Sequence, residues 1–257
     1  MPKFFVMSDL HGFADEMKTA LDNARFDINN ENHWVVVCGD YFDRGPNPGE
    51  VMNYLKRLPR KVLIRGNHES LVEECCANGY PQGHDFHNGT FDTICDLGGA
   101  GEGHSFDECC LITEQRIKSF FKSMVNYFET KNYNFVHSFV PLKCLDDLPM
   151  HYTRGRVYEK MDNWREAHHS DWEAARWGNP FDLAKRGLLP DKTLVFGHWH
   201  TSWPRHNWGW SDEVEPEFGE SADFSPYYGD GYIAIDACTA YSGKVNVLVI
   251  EDDFLDE

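Results

Sequence analysis

Short apolar runs and amphipathic stretches take turns along the first eighty residues. Residues 3–8 are apolar up to Asp9, and Met17, Ala20, Leu21 and Ala24 then recur at helical spacing over residues 15–25. Residues 33–38 form a continuous apolar run, the pattern of a strand covered on both faces, and 47–58 read as the next helix with Pro48 tolerated in its first turn. A third strand over 60–64 and a third helix over 69–77 complete the alternation. Polar residues always stand at the carboxyl ends of the strands. This order predicts an α/β fold with a layered sheet whose ligands bind at that edge.

Farther along, residues 78–108 are rich in Gly, His, Asp and Asn with weak periodicity, so an irregular or loosely helical, cap-like insertion is expected over about 78–130, with a helix over 111–128. Residues 143–185, with Trp164, Trp172 and Trp177, read as helices and loops flanking a cleft. Residues 201–231 are acidic and aromatic (Trp203, Trp208, Trp210, Tyr227, Tyr228), which predicts a long loop. Two strands, 232–236 and 244–250, are expected to form a hairpin turning at Ser242 and Gly243.

The formal charge of −18 argues against a protein that holds long nucleic acid on a basic face. No run of about eighteen apolar residues is present, and the chain opens straight into a strand, so no membrane association and a cytoplasmic location are expected. The eight cysteines include two adjacent pairs, Cys75-Cys76 and Cys109-Cys110, and no Cys-x-x-Cys, consistent with thiols in a reducing compartment.

Candidate chemistry sits directly after the apolar runs: Asp9-Leu10-His11, then Gly39-Asp40-Tyr41-Phe42-Asp43-Arg44-Gly45, Arg65-Gly66-Asn67-His68-Glu69, Phe135-Val136-His137, and Gly197-His198-Trp199-His200. Carboxylates, imidazoles and one amide are a hard-to-borderline donor set, suited to manganese, iron or zinc. The spacing of Asp9 and His11 places both side chains on one side of an extended segment. Because these runs reach from Asp9 to His200, a cut between them would split the site, so a single domain over residues 1–257 is expected.

The order and spelling of the runs resemble the calcineurin-like metallophosphoesterases, and Gly-Asp-x-x-Asp-Arg-Gly with Arg-Gly-Asn-His-Glu resembles their phosphoprotein-phosphatase branch. The resemblance implies a metallophosphoesterase β-sandwich flanked by helices, with two divalent ions, manganese first and iron or zinc as alternatives. It places Asp40 between the ions, Asp9 and His11 on the first, and Asn67, His137 and His198 on the second, with His200 either in metal contact or at the cleft rim. His68 would be the general acid, Asp43 would orient it, and Arg44 would clamp phosphoryl oxygens. A second phosphate-binding arginine is sought at Arg176 or Arg186, with Arg154 behind them.

The implied reaction is in-line attack of metal-bridging hydroxide on a phosphate monoester without a phosphoenzyme. The first expectation for substrate is a phosphorylated protein or peptide, as for serine/threonine protein phosphatases. The alternative is hydrolysis of bis(5′-nucleosyl) tetraphosphates or another small phosphoester, and a non-catalytic scaffold is the remote third. Asn88-Gly89-Thr90 with Thr93 resembles a stretch of bacterial and phage members, while Asp236-Ala237-Cys238 departs from their usual Asp-Thr-Gly. Phe139 stands where relatives commonly carry a smaller residue and is expected to narrow the cleft. His84, His87, His104, His151, His168 and His169 read as solvated loop residues.

Overall fold

The computed structural model of the chain describes residues 1–146, 156–208 and 215–255; Arg154, His151 and Trp210 lie outside the described residues. The first half follows the expected alternation: β1 Lys3–Met7, α1 Ala14–Asn23, β2 His33–Cys38, α2 Pro48–Arg57, β3 Lys61–Ile64 and α3 Asn67–Asn78. Strands β1, β2 and β3 pair in parallel, and β11 Leu248–Glu251 closes the other edge antiparallel to β1, with Phe4 opposite Ile250. A second sheet runs β4-β5-β8-β10-β9, built from Phe128–Glu129, Tyr133–Phe135, Thr193–Phe196, Tyr232–Ala234 and Tyr227–Gly229. Its central strands β5, β8 and β10 are parallel.

The two sheets face one another. Strand alternation sends Phe4, Val6, Val36, Cys38 and Ile64 of the first sheet and Phe135 and Val195 of the second into one shared core. The opposite faces are also covered. Phe5, Met7, Val35, Val37 and Leu63 pack beneath α1, α2, α3 and α6 (Phe106–Lys122), while Leu194, Phe196 and Ala234 pack beneath Trp164, Trp172 and Phe181. With both faces of each sheet buried, the strands carry unbroken apolar runs rather than alternating ones.

Residues 78–130 are more regular than their composition suggests. They hold α4 Gly83–Asn88, α5 Thr90–Gly98 and α6, the last ending at Lys122 rather than continuing to residue 128. Ile94, Leu97, Cys109, Ile117 and Phe120 anchor α5 and α6 in the first core. Residues 142–185 contain a small antiparallel hairpin, β6 Leu142–Cys144 with β7 Tyr158–Lys160, then α7 His169–Ala175 and α8 Pro180–Lys185.

The expected hairpin over 232–250 is not formed. Strand β10 belongs to the second sheet and β11 to the first, and between them the chain turns through Cys238 at φ 52° and the short helix α10 Thr239–Ser242. An apolar strand pattern reports that both faces are buried, and it is silent on which strand lies beside it. The long loop after His200 likewise holds a short helix, α9 Ser202–Asn207, and β9. Its Trp203, Trp208 and Tyr227 pack on Phe181 at ring separations of 5.6, 5.8 and 6.1 Å. All eight cysteines are free thiols, and among the described residues no helix is long and apolar enough to cross a membrane.

Candidate metal centre

The loops after β1, β2 and β3 and those after β5 and β8 meet where the two sheets converge. Asp9, His11, Asp40, Asp43, Asn67, His68 and His137 are all buried there, at 3 % exposure or less. Holding so many polar ends together strains the backbone: Asp9, His11, Asp40, Asp43, Arg44, His198 and Cys238 all adopt positive φ, between 45° and 70°. Arg25 is the one other non-glycine residue to do so among the described residues. Strain that gathers at one place is a mark of function. Asp9 and His11 therefore do not project from an extended segment as their spacing suggested. Their backbone curls against the neighbouring loop instead, with Asp9 N donating to Gly39 O and His11 N to Asp40 O at 3.0 and 2.9 Å.

Asp40 stands at the centre. Its Oδ1 lies 3.4 Å from His137 Nε2, and its Oδ2 lies 3.8 Å from His11 Nε2 and 3.9 Å from His68 Nε2. Two groups of donors thus share one carboxylate: His11, Asp40 and His68 on one side, and Asp40, His137 and His198 on the other. His137 Nδ1 donates to Cys38 O at 2.8 Å, which leaves the lone pair of Nε2 facing Asn67 Oδ1 at 2.8 Å and Asp40 Oδ1. His11 is held in the same manner, its Nδ1 donating to Phe42 O at 2.8 Å. Fixing one ring nitrogen on a backbone carbonyl so that the other is free to coordinate is the usual outer-sphere pattern of metal-binding histidines. Acceptors facing a lone pair with no hydrogen between them are what a cation resolves, so the residues present fit the divalent ions that the donor set calls for.

The electrostatics agree. Burial would raise the Asp40 carboxyl, but His137, His68, His11 and His198 around it outweigh burial and hold it below the usual carboxylate range. Burial, then Asp236 and Asp40, push Asp9 well up, and burial together with the neighbouring His137 takes His198 down to about 3. Asp9 is not in either three-donor group; its Oδ2 accepts the backbone N–H of His198 at 2.9 Å, tying the two sheets together.

His68 Nδ1 donates to Asp43 Oδ2 at 2.7 Å, and Arg44 reaches across the opening, Nη1 to His11 Nε2 at 3.1 Å and Nη2 to His68 Nε2 at 3.2 Å. Burial lowers the His68 imidazole, yet Asp40 and the bond to Asp43 more than offset this, and its pKa is raised overall. Arg176 is buried and bonded to Glu173 and to Asn126, each at 2.6 Å, with its Nε unpartnered among the described residues and its charge close enough to His137 to act on that imidazole, and Arg186 donates to Arg156 O at 2.8 Å. His200 stands apart from both donor groups: Nδ1 meets Ser202 Oγ at 2.8 Å and Nε2 lies 3.4 Å from Glu217. The backbone turn after His198 separates the two histidines, which strand-like spacing alone cannot reveal. Phe139 does not narrow the opening; it is buried among Val140, Trp164, Trp172 and Phe181.

Several supporting residues had no role in the sequence reading. Glu69 is fully buried and accepts from the backbone N–H of Gly66, Asp40 and Tyr41 at 2.8, 3.1 and 3.0 Å, pinning the loops after β2 and β3 to each other. Gly66 is needed beside it, since a Cβ there would collide with Asp40 Oδ1. Thr90 donates to Asp43 Oδ2 at 2.7 Å, and Thr93 Oγ1 accepts from Asp43 N at 2.9 Å. Buried Asp236 is pushed up to about 6, chiefly by burial. The final Glu of Arg-Gly-Asn-His-Glu and the Thr of the 88–93 stretch were the available signals.

A two-sheet α/β sandwich with Asp, His and Asn donors at its strand ends is a scaffold for divalent cations. Residues 2–202 match the calcineurin-like phosphoesterase family, and the chain belongs to that family. Curated relatives include symmetrical bis(5′-nucleosyl)-tetraphosphatases of Wigglesworthia glossinidia brevipalpis, 33 % identical over 66 residues, and of Klebsiella pneumoniae (strain 342), 36 % identical over 66 residues. Each match covers 25 % of this chain and only 24 % and 23 % of the relative, so the chain spans about a quarter of the length of these proteins. Solved structures of similar fold include a candidate diadenosine tetraphosphatase, with TM-score 0.51, 15 % identity and 97 % and 91 % of the two chains covered. A cold-active protein tyrosine phosphatase gives TM-score 0.54, 15 % identity and coverage of 98 % and 74 %.

Proposed function

We propose that the protein hydrolyses phosphoesters at a dinuclear metal centre, and that phosphate monoesters on serine or threonine are its first substrate class. The observation that carries the dinuclear centre is Asp40, whose two carboxylate oxygens face separate histidine groups, and the choice of substrate class rests on the motif spellings. Asp9, His11 and Asp40 would hold one divalent ion and Asp40, Asn67, His137 and His198 the other; when bound, the pair supplies Lewis acidity and lowers the pKa of water toward neutrality. Arg44, poised between His11 and His68, binds phosphoryl oxygens bidentately and offsets their charge. His68 delivers a proton from Nε2 to the leaving oxygen while Asp43, itself held by Thr90, keeps the imidazole aligned. Buried walls around Asp40 keep these interactions strong by excluding bulk water.

The second reading, cleavage of bis(5′-nucleosyl) tetraphosphates, is favoured by the names of the curated relatives. Of the aromatic residues after His200, Trp203, Trp208 and Tyr227 are packed on Phe181 and offer no free stacking face, whereas Phe218 and Tyr228 are exposed. The deciding experiment compares a phosphoserine peptide with diadenosine tetraphosphate in manganese, for wild type and His68→Asn at matched metal content. Preferred peptide turnover, reduced 100-fold or more in the variant, supports the first reading; preferred dinucleotide cleavage replaces it with the second. Protein that binds no divalent metal and cleaves neither overturns both.

A further inference from the structure

A cavity of about 320 Å³ lies between the β6–β7 hairpin and helices α7 and α8, within the range of small-molecule sites. Phe139, Leu142, Tyr158, Met161, Trp177 and Leu183 give it apolar walls, interrupted by Lys143 and by the carboxylate of Asp171. Arg156 also lines it, although the residue is only 4 % exposed. A guanidinium in such a place needs an anion or a full set of acceptors. It has neither in full. Nη1 contacts Cys144 Sγ at 3.4 Å and the guanidinium also lies beside the Tyr158 hydroxyl, whereas Nε and Nη2 make no hydrogen bond of normal geometry among the described residues. Asp146 Oδ1 comes no closer to Nε than 4.0 Å, beyond hydrogen-bond length, and the other oxygen of Asp146 accepts from Val157 N at 2.9 Å.

The two open nitrogens are not an arbitrary pair. Nε–H and the Nη2 hydrogen beside it point the same way and form the side edge of the guanidinium, which matches the two oxygens of one oxyanion. We infer that this cavity binds a small amphiphilic oxyanion, with a carboxylate or phosphate head on the side edge of Arg156 and an aromatic or branched body between Phe139, Met161 and Trp177. The site uses no residue of the metal centre, so it stands whether or not the proposed hydrolysis does. Its head-group chemistry comes from Arg156, and its shape from the hairpin closing over α7.

The test is calorimetric titration of the intact protein with 3-phenylpropionate, with neutral 3-phenylpropan-1-ol, and with benzylphosphonate. One site per chain is expected, with the carboxylate or the phosphonate binding at least tenfold more tightly than the alcohol. Whichever anion loses more affinity in Arg156→Lys, which keeps the charge but lacks the fork, identifies the head group. Ala175→Phe, which fills the cavity from the end of α7, abolishes binding of all three, and covers the case in which the Arg156 variant does not fold. Equal affinity for acid and alcohol, anion binding untouched by Arg156→Lys, or binding that survives Ala175→Phe overturns the inference.

Discussion

Asp40 and Glu69 show how a few side chains set the chemistry of this protein. Glu69 accepts three backbone N–H groups, and burial together with Asp40 pushes its carboxyl up to about 7. Glu69→Gln must turn an amide N–H₂ toward one of those donors, leaving it unmatched in the interior. A loss of about 2 kcal/mol in urea unfolding is expected, together with weaker manganese binding, because the same three bonds fix Asp40. A variant as stable as wild type would mean that the loops after β2 and β3 are held by other contacts. Thr90 is the corresponding test for Asp43. Thr90→Val should lower kcat by about tenfold with little change in KM, and Thr90→Ser should restore it, since only the hydroxyl aligns Asp43 behind His68.

Among the elements, the junction of α4 and α5 explains why residues 78–130 matter. It brings Gly89 against the backbone of Arg44 and delivers both threonines to Asp43, so this helical layer buttresses the site from behind. The second sheet has its own clamp: Glu129 on β4 receives Arg165 at 2.6 and 2.8 Å and Lys192 at 2.8 Å. The hydrogen bond from Arg165, with help from Lys192, lowers the Glu129 pKa below its ordinary value near 4.5. A lowered folded-state pKa contributes stability above the unfolded value and loses it as pH falls through the folded one. Glu129→Gln should therefore cost about 1 to 2 kcal/mol at pH 7, and the difference from wild type should shrink below about pH 4.5, as read by thermal unfolding across pH. A penalty that stays constant down to pH 3 would assign the effect to packing instead.

At the scale of the whole molecule, the two sheets are joined along the apolar seam of Phe4, Val36, Phe135 and Val195 and through the donor cluster at its end. Phe135→Ala at the middle of that seam should destabilise by about 3 to 5 kcal/mol, in keeping with a buried aromatic lost from a packed interior. Divalent cations should act at the other junction. Asp40 and Asn67 come from the first sheet and His137 and His198 from the second, so ions that they bind favour the folded state. Manganese at about 100 times its dissociation constant is expected to stabilise metal-stripped protein by roughly 2.7 kcal/mol, a rise of about 5 to 10 °C in Tm. No shift in Tm with manganese would count against the proposed centre.

The strands β1, β2 and β3, the helices between them and the donors at their ends were legible in sequence because each rests on local information. A run of apolar residues buried on both faces, a helical period and a polar residue at a strand end can be read within ten residues of one another. What the local pattern could not hold was pairing. The split of β10 and β11 between two sheets, the turned backbone at Asp9 and His11, and the burial of Phe139 depend on partners far along the chain, and the departure of His200 depends on its contacts with Ser202 and Glu217. The donor types were written in the sequence; the sharing of one Asp40 carboxylate between two histidine groups was decided only when the sheets packed, because it requires atoms from both to lie within a few ångströms.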